Sequence, residues 1–122
     1  MRIALLSHQW PGVRLGGIGV YTVAAARMFT VAGHETHIFT LKLPECARAA
    51  VPPGVTVHDV PDLAERAIDG ILPVPLAAAV HAGGQGVYRL ALGALLCETW
   101  RRVHGVTPFD ILEAPDYEAL GL

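Results

Sequence analysis

The loop Gly16-Gly17-Ile18-Gly19 is the first place in this chain where residue types and spacing suit chemistry. It separates an apolar run that reads as a strand from a periodic stretch that reads as a helix. Glycines there let bare backbone approach a ligand, and the unpaired N–H groups and dipole of a helix N-terminus favour an anion. A tight turn that only lets helix pack on strand would use the same glycines. The two readings separate at Gly19. If backbone meets ligand there, Gly19→Val costs turnover and spares folding, which is the expectation here; if the glycine serves packing, the order reverses. A dinucleotide site does not fit, because Thr22 stands at the third glycine position and Phe39-Thr40 ends the second strand where a ribose-binding acid belongs. A P-loop is excluded too, since no Gly-Lys-Ser/Thr occurs.

His34-Glu35-Thr36-His37 invites a zinc reading that the spacing rejects. Zincin ligands sit four apart on a helix, whereas these two histidines are three apart, at a helix stop and strand start. Residues three apart in a strand point to opposite faces, so the four read as solvent-facing turn residues. Ser7 is the only serine and lacks a Gly-x-Ser-x-Gly setting, so serine-hydrolase chemistry is excluded. Cys46 and Cys97 form no CxxC pair, and Cys97 reads as core packing.

The elements that must position any remaining chemistry follow from the pattern. Arg2–Ser7 and Glu35–Thr40 read as buried strands, with a helix from about Ile18 to Ala32 between them. Ile18, Tyr21, Thr22, Ala25, Met28, Phe29 and Ala32 form that helix's expected core stripe, and Gly33 its stop. Residues 41–53 read as irregular and Val55–His58 as a short strand. Asp62–Ile71 reads as a short helix, Val87–His104 as a long one closed by Gly105, and Phe109–Glu113 as a fourth strand. This is an α/β chain with an open parallel sheet, expected order 3-2-1-4. Ligands in such sheets bind beyond the carboxyl ends of the strands, at the switch point. His8, Gln9, Trp10, the glycine loop, Glu113, Asp116 and Tyr117 converge there.

Composition bounds the partners. The net charge is −2 and eight of the nine cations are arginines, so no basic stripe exists to bind nucleic acid. Apolar residues make up 52% and charged ones 16%, against about 25% charged in an average globular chain. Together with an end one turn into a further helix, this suggests a piece of something longer, with an apolar edge that self-associates. No apolar run is long enough for a signal peptide or spanning helix, so the expected location is the cytoplasm.

Three runs carry a resemblance: Arg2-Ile3-Ala4-Leu5-Leu6-Ser7 with Gly16-Gly17-Ile18-Gly19-Val20-Tyr21, then Ala32-Gly33-His34-Glu35-Thr36-His37, then Phe109-Asp110-Ile111-Leu112-Glu113-Ala114-Pro115-Asp116-Tyr117. Together they resemble the N-terminal, acceptor-side domain of GT-B glycosyltransferases, and more closely the family-4-like retaining group. Residues 41–105 carry no motif that matches. The resemblance implies a Rossmann-like sheet that is the N-terminal half of a GT-B fold, with the donor-binding C-terminal domain absent from these 122 residues. It implies transfer of a sugar from a nucleotide-diphosphate sugar to an acceptor, without a cofactor or obligatory metal, and no activity in isolation. Gly16, Gly17, Gly19, His8 and Tyr117 would bind substrate, and Glu113 and Asp116 would line the reaction centre. Peripheral membrane contact follows if the acceptor is a lipid. The alternative is a non-enzymatic Rossmann-like module that binds a phosphorylated ligand or a protein partner.

Overall fold

The computed structural model describes residues 1–13, 16–60, 78, 82 and 85–114. Its elements are β1 (Arg2–Ser7), α1 (Gly17–Val31), β2 (Glu35–Leu41), α2 (Glu45–Arg48), β3 (Val55–Val60), α3 (Gln85–Val106) and β4 (Ile111–Glu113). The four strands form one parallel sheet in the order β3-β2-β1-β4, as the pattern of runs implied. The proposed helix at Asp62–Ile71 and the residues Asp116 and Tyr117 lie outside the described residues.

The central strands are apolar on both sides because both sides are covered. Ile3 and Leu5 of β1 and Ile38 of β2 join Ala25 and Ala26 of α1 in one core cluster. Ala4, Leu6 and Phe39 point the other way and pack with Ala91, Leu92, Leu95 and Leu96 of α3. Cys97 packs against that second cluster, and burial pushes its thiol up. β4 is an edge strand whose Ile111 and Leu112 remain 42% and 40% exposed.

Helix α1 ends on a Schellman pattern. Gly33 takes φ +82°, its N–H donates to Thr30 O, and His34 N–H reaches back to Phe29 O, both at 3.0 Å. The stripe expected on α1 is corrected in part. Gly19, Thr22, Ala25 and Ala26 are its buried residues, while Tyr21 and Met28 are more than half exposed. Close approach to the sheet requires small side chains, and the large ones turn to the flanks. Two other corrections concern boundaries. The segment before β3 contains the single-turn α2, and α3 runs through Gly105 to Val106, its carboxyl end met instead by Phe109 N–H, which donates to His104 Nδ1 at 3.1 Å.

His37 is also corrected: it is a buried strand residue and not a solvent-facing turn residue. Its burial is compatible with a polar ring because both nitrogens are partnered. Nε2–H donates to Glu35 Oε1 at 2.9 Å, and Nδ1 accepts from His58 Nε2–H at 2.8 Å, the tautomers that satisfy both bonds. Arg2 pairs with the same Glu35 oxygen at 2.9 Å and lies over the Phe109 ring. Phe39 stacks on His58 with centroids 4.4 Å apart.

This cluster makes stability pH-dependent. Burial, then the charges of His37 and Arg2, hold His58 below its ordinary value of 6.5. The unfolded chain therefore protonates first, so the contribution is complete above that value and is lost as pH falls through it. Glu35, held below the ordinary carboxylate range chiefly by its bond to His37, acts in the same direction at lower pH. Thermal unfolding followed from neutral to acid pH should show Tm falling as pH drops below about 6.5, and His58→Phe, which keeps a ring against Phe39, should flatten that fall. An unchanged slope in the variant would remove His58 from this account.

Candidate functional site

A cavity of about 480 Å³ opens at the carboxyl ends of β1 and β4, against the N-terminus of α1. Its size falls within the range of about 300–1,000 Å³ usual for small-molecule sites. Leu5 and Leu6 come from β1, Gln9 from the loop that follows, and Glu113 from β4. Helix α1 contributes Gly16 and Gly17 at its start, then Ile18, Tyr21 and Thr22 one turn on.

Each of these positions has a local cause. Ser7 ends β1 by turning the chain: its hydroxyl donates to Gln9 O at 2.8 Å and accepts from Gln9 N–H at 3.3 Å. That turn brings the Gln9 side chain back over Gly16, where a Cβ would overlap Gln9 Oε1 at 1.8 Å. Glu113 pairs with Leu5 in the β1–β4 register and so faces the α1 side of the sheet. There its Oε1 accepts a hydrogen bond from the Tyr21 hydroxyl. That bond pushes the Tyr21 phenol up, so Tyr21 stays protonated and remains a donor. Among the described residues no side chain caps α1, and no acidic residue occupies its first turn. The first N–H groups of the helix are thereby left to the cavity.

The structure brings Gly16, Gly17, Gln9 and Glu113 together. It places three other expected residues differently. His8 is 6% exposed and is not part of the described lining; its Nε2 lies 3.3 Å from Gln9 Nε2 and accepts from that amide. Trp10 is a core residue of the α1 face, its indole N–H donating to Ala47 O at 3.1 Å. Gly19 is buried against the loop, where an added Cβ would meet Gln9 C and Trp10 N at 3.0 Å and Gln9 O at 3.1 Å. The expectation that Gly19→Val spares folding is thereby corrected, because the obstruction is backbone and has little room to yield. Asp116 and Tyr117 lie outside the described residues.

Tyr21 is the residue that sequence reasoning missed. Counted as an apolar stripe member, it was assigned to the core. Its position one turn after Gly16-Gly17, beside the strand ends, is the signal that could have placed it at the mouth. Among the described residues, no group of three His, Cys, Asp or Glu side chains could hold a metal ion. No described helix is long and apolar enough to cross a membrane. Comparison of the chain with protein-family models, curated proteins and solved structures gives no match.

Adjacent glycines here carry different duties, and substitution separates them. At Gly17 a Cβ meets nothing within 4 Å, so Gly17→Ala should leave Tm unchanged or slightly raised. Gly19→Val should destabilise by about 1–3 kcal/mol, the usual cost of overpacking. Differential scanning calorimetry on the two variants checks this. A Gly19→Val protein that melts with wild type would return the glycine to the ligand side.

Proposed function

We propose that the chain is the acceptor-side part of a glycosyltransferase that moves a sugar from a nucleotide-diphosphate sugar to a hydroxyl of an acceptor. The observation that carries this reading is the meeting of Glu113 and the uncapped Gly16-Gly17 start of α1 in one cavity at the strand ends. The three sequence runs that resemble the family-4-like retaining group supply its elements in the same order. Fold alone would support many activities, so the weight rests on the site.

In this scheme the acceptor oxygen forms a bond to the anomeric carbon of the sugar as the carbon–oxygen bond to the diphosphate breaks. The nucleoside diphosphate leaves with the bonding electron pair. Glu113 accepts a hydrogen bond from the acceptor hydroxyl and takes its proton. Gly16 and Gly17 present backbone N–H groups to the diphosphate as the donor domain closes, and Tyr21 holds the Glu113 carboxylate in place. Asp116 and Tyr117 complete the substrate contacts proposed from the sequence, while buried His8 only holds the Gln9 amide. The site takes no cofactor or metal, and the protein works in the cytoplasm, at a membrane surface where its acceptor is a lipid.

A second reading, a non-enzymatic module for a phosphorylated ligand, draws on the same uncapped helix start, which favours an anion. The carboxylate beside it favours the transferase.

Release of nucleoside diphosphate from a panel of nucleotide sugars, measured with the natural polypeptide that carries these 122 residues, tests the proposal. Transfer to a hydroxyl acceptor should fall about 10²–10³-fold in Glu113→Gln, the scale of losing one well-placed polar group at a reaction centre. If that polypeptide has no second nucleotide-binding α/β domain, or transfers sugar equally well as the variant, the proposal fails.

A further inference from the structure

The polar groups of the cavity are unequal in kind. Glu113 is a carboxylate and can only accept hydrogen bonds while ionised. Gln9 Oε1 is sealed against Gly16 and the amide nitrogen beside it is engaged by His8, which leaves Glu113 as the side-chain acceptor open to a ligand among the described lining residues. Tyr21, the one hydroxyl already donating into the site, reaches Glu113 from an exposed position and covers only one carboxylate oxygen. Among the described lining residues there is no cation.

The remainder of the wall is largely apolar, with Leu5 and Ile18 against a space large enough for a fused-ring molecule. A free sugar would bring a hydroxyl on almost every carbon and find one carboxylate for them. An inorganic phosphate or diphosphate seated inside would lie beside the Glu113 carboxylate with no described cation to offset the repulsion. A hydroxyl is the group that fits the site: it donates to Glu113 and brings no charge beside that carboxylate.

We infer that this cavity binds an uncharged, largely apolar small molecule through a hydroxyl group, with Glu113 as the acceptor that recognises it. The binding claim stands on the cavity itself; that the bound hydroxyl is the sugar acceptor rests on the function proposed above. The substrate class that follows is a hydrophobic alcohol or phenol. Sugar phosphates and polysaccharides are excluded from this cavity.

Titration of the chain with β-naphthol, followed by the probe's own fluorescence, tests the inference. Its methyl ether, which has lost the donor, methyl glucoside, which lacks the apolar body, and inorganic pyrophosphate serve as comparators. β-Naphthol should bind at least about tenfold more tightly than its methyl ether, the discrimination expected for one hydrogen bond to a charged group. Glu113→Ala should erase most of that ratio, and Glu113→Gln, which keeps an acceptor oxygen, should preserve part of it, both at unchanged Tm. Equal binding of β-naphthol and its ether by the wild-type chain overturns hydroxyl recognition, with no variant needed. Pyrophosphate or methyl glucoside binding more tightly than β-naphthol overturns the ligand class, and so does the failure of β-naphthol to bind. If β-naphthol binds as described but the natural polypeptide transfers no sugar, the site stands and the glycosyltransferase reading falls.

Discussion

The contact on which the rest of the site depends is the approach of α1 to the Gln9-Trp10 backbone at Gly19. Glycine lets the helix rest there without strain, since a Cβ would sit 3.0 Å from loop main chain and force the loop to give by a few tenths of an ångström. The consequences spread in two directions. Seating α1 there aims its uncapped start at the ends of β1 and β4, and it carries Tyr21 to Glu113. The same contact holds the loop whose next residue, Trp10, fills the α1-side core and bonds Ala47. A helix displaced outward by one methyl group would loosen all three at once.

The two faces of the sheet solve burial by different means. On the α1 face the cluster is almost wholly aliphatic and indole, and transfer from water accounts for its stability. On the α3 face, imidazoles and phenyl rings stack, with His37, His58 and His104 around Phe39 and Phe109. Burying imidazole is tolerated only with partners, and the chain Glu35–His37–His58 supplies them while Arg2 balances Glu35. Arg2 also ties the start of β4 to β1: its N–H donates to Asp110 Oδ2 at 2.7 Å and its carbonyl accepts from Asp110 N–H at 2.9 Å. With only three residues in β4, this bracket matters for the register that sets Glu113 beside Leu5. The polar cluster at one end of the strands thus positions the carboxylate at the other.

Much of this was legible in the sequence because parallel strands buried on both faces read as continuous apolar runs bounded by loops. Ile3–Leu6 is such a run and Glu35–Thr40 carries Ile38-Phe39 within it, and with the glycine stop at Gly33 they imply the crossover and the strand order. The residue types at the strand ends pointed to the switch point, and Gln9, Gly16, Gly17 and Glu113 do line one cavity. What pattern reading missed has a common origin. Periodicity counts large apolar residues as core, whereas a helix laid close on a sheet selects small ones, so Tyr21 was misplaced and the role of Gly19 misjudged. The start of β2 at Glu35 was legible, but His37 was read as solvent-facing because spacing cannot show that His58 on the next strand donates to its buried ring. Gly105 looked like a stop, but one glycine in a final turn costs a helix only about 1 kcal/mol.

The distribution of charge in the cavity bears on how a transferase of this kind would be divided. A diphosphate leaving group needs cations, and an acceptor hydroxyl needs a hydrogen-bond acceptor. Placed in one small low-dielectric site, an arginine or lysine would pair with the carboxylate and neither would remain available. The described lining resolves that conflict by holding the acceptor function alone, as Glu113, with the only positive influence coming from the dipole at the start of α1. That partial charge is fixed in direction and carries no mobile side chain that could collapse onto Glu113. On the glycosyltransferase reading, the cations for the diphosphate would then come from outside this lining and meet the helix start only when donor and acceptor are brought together. Separation of the two charges before closure, and their juxtaposition with substrate between them, is what would keep both competent for the transfer.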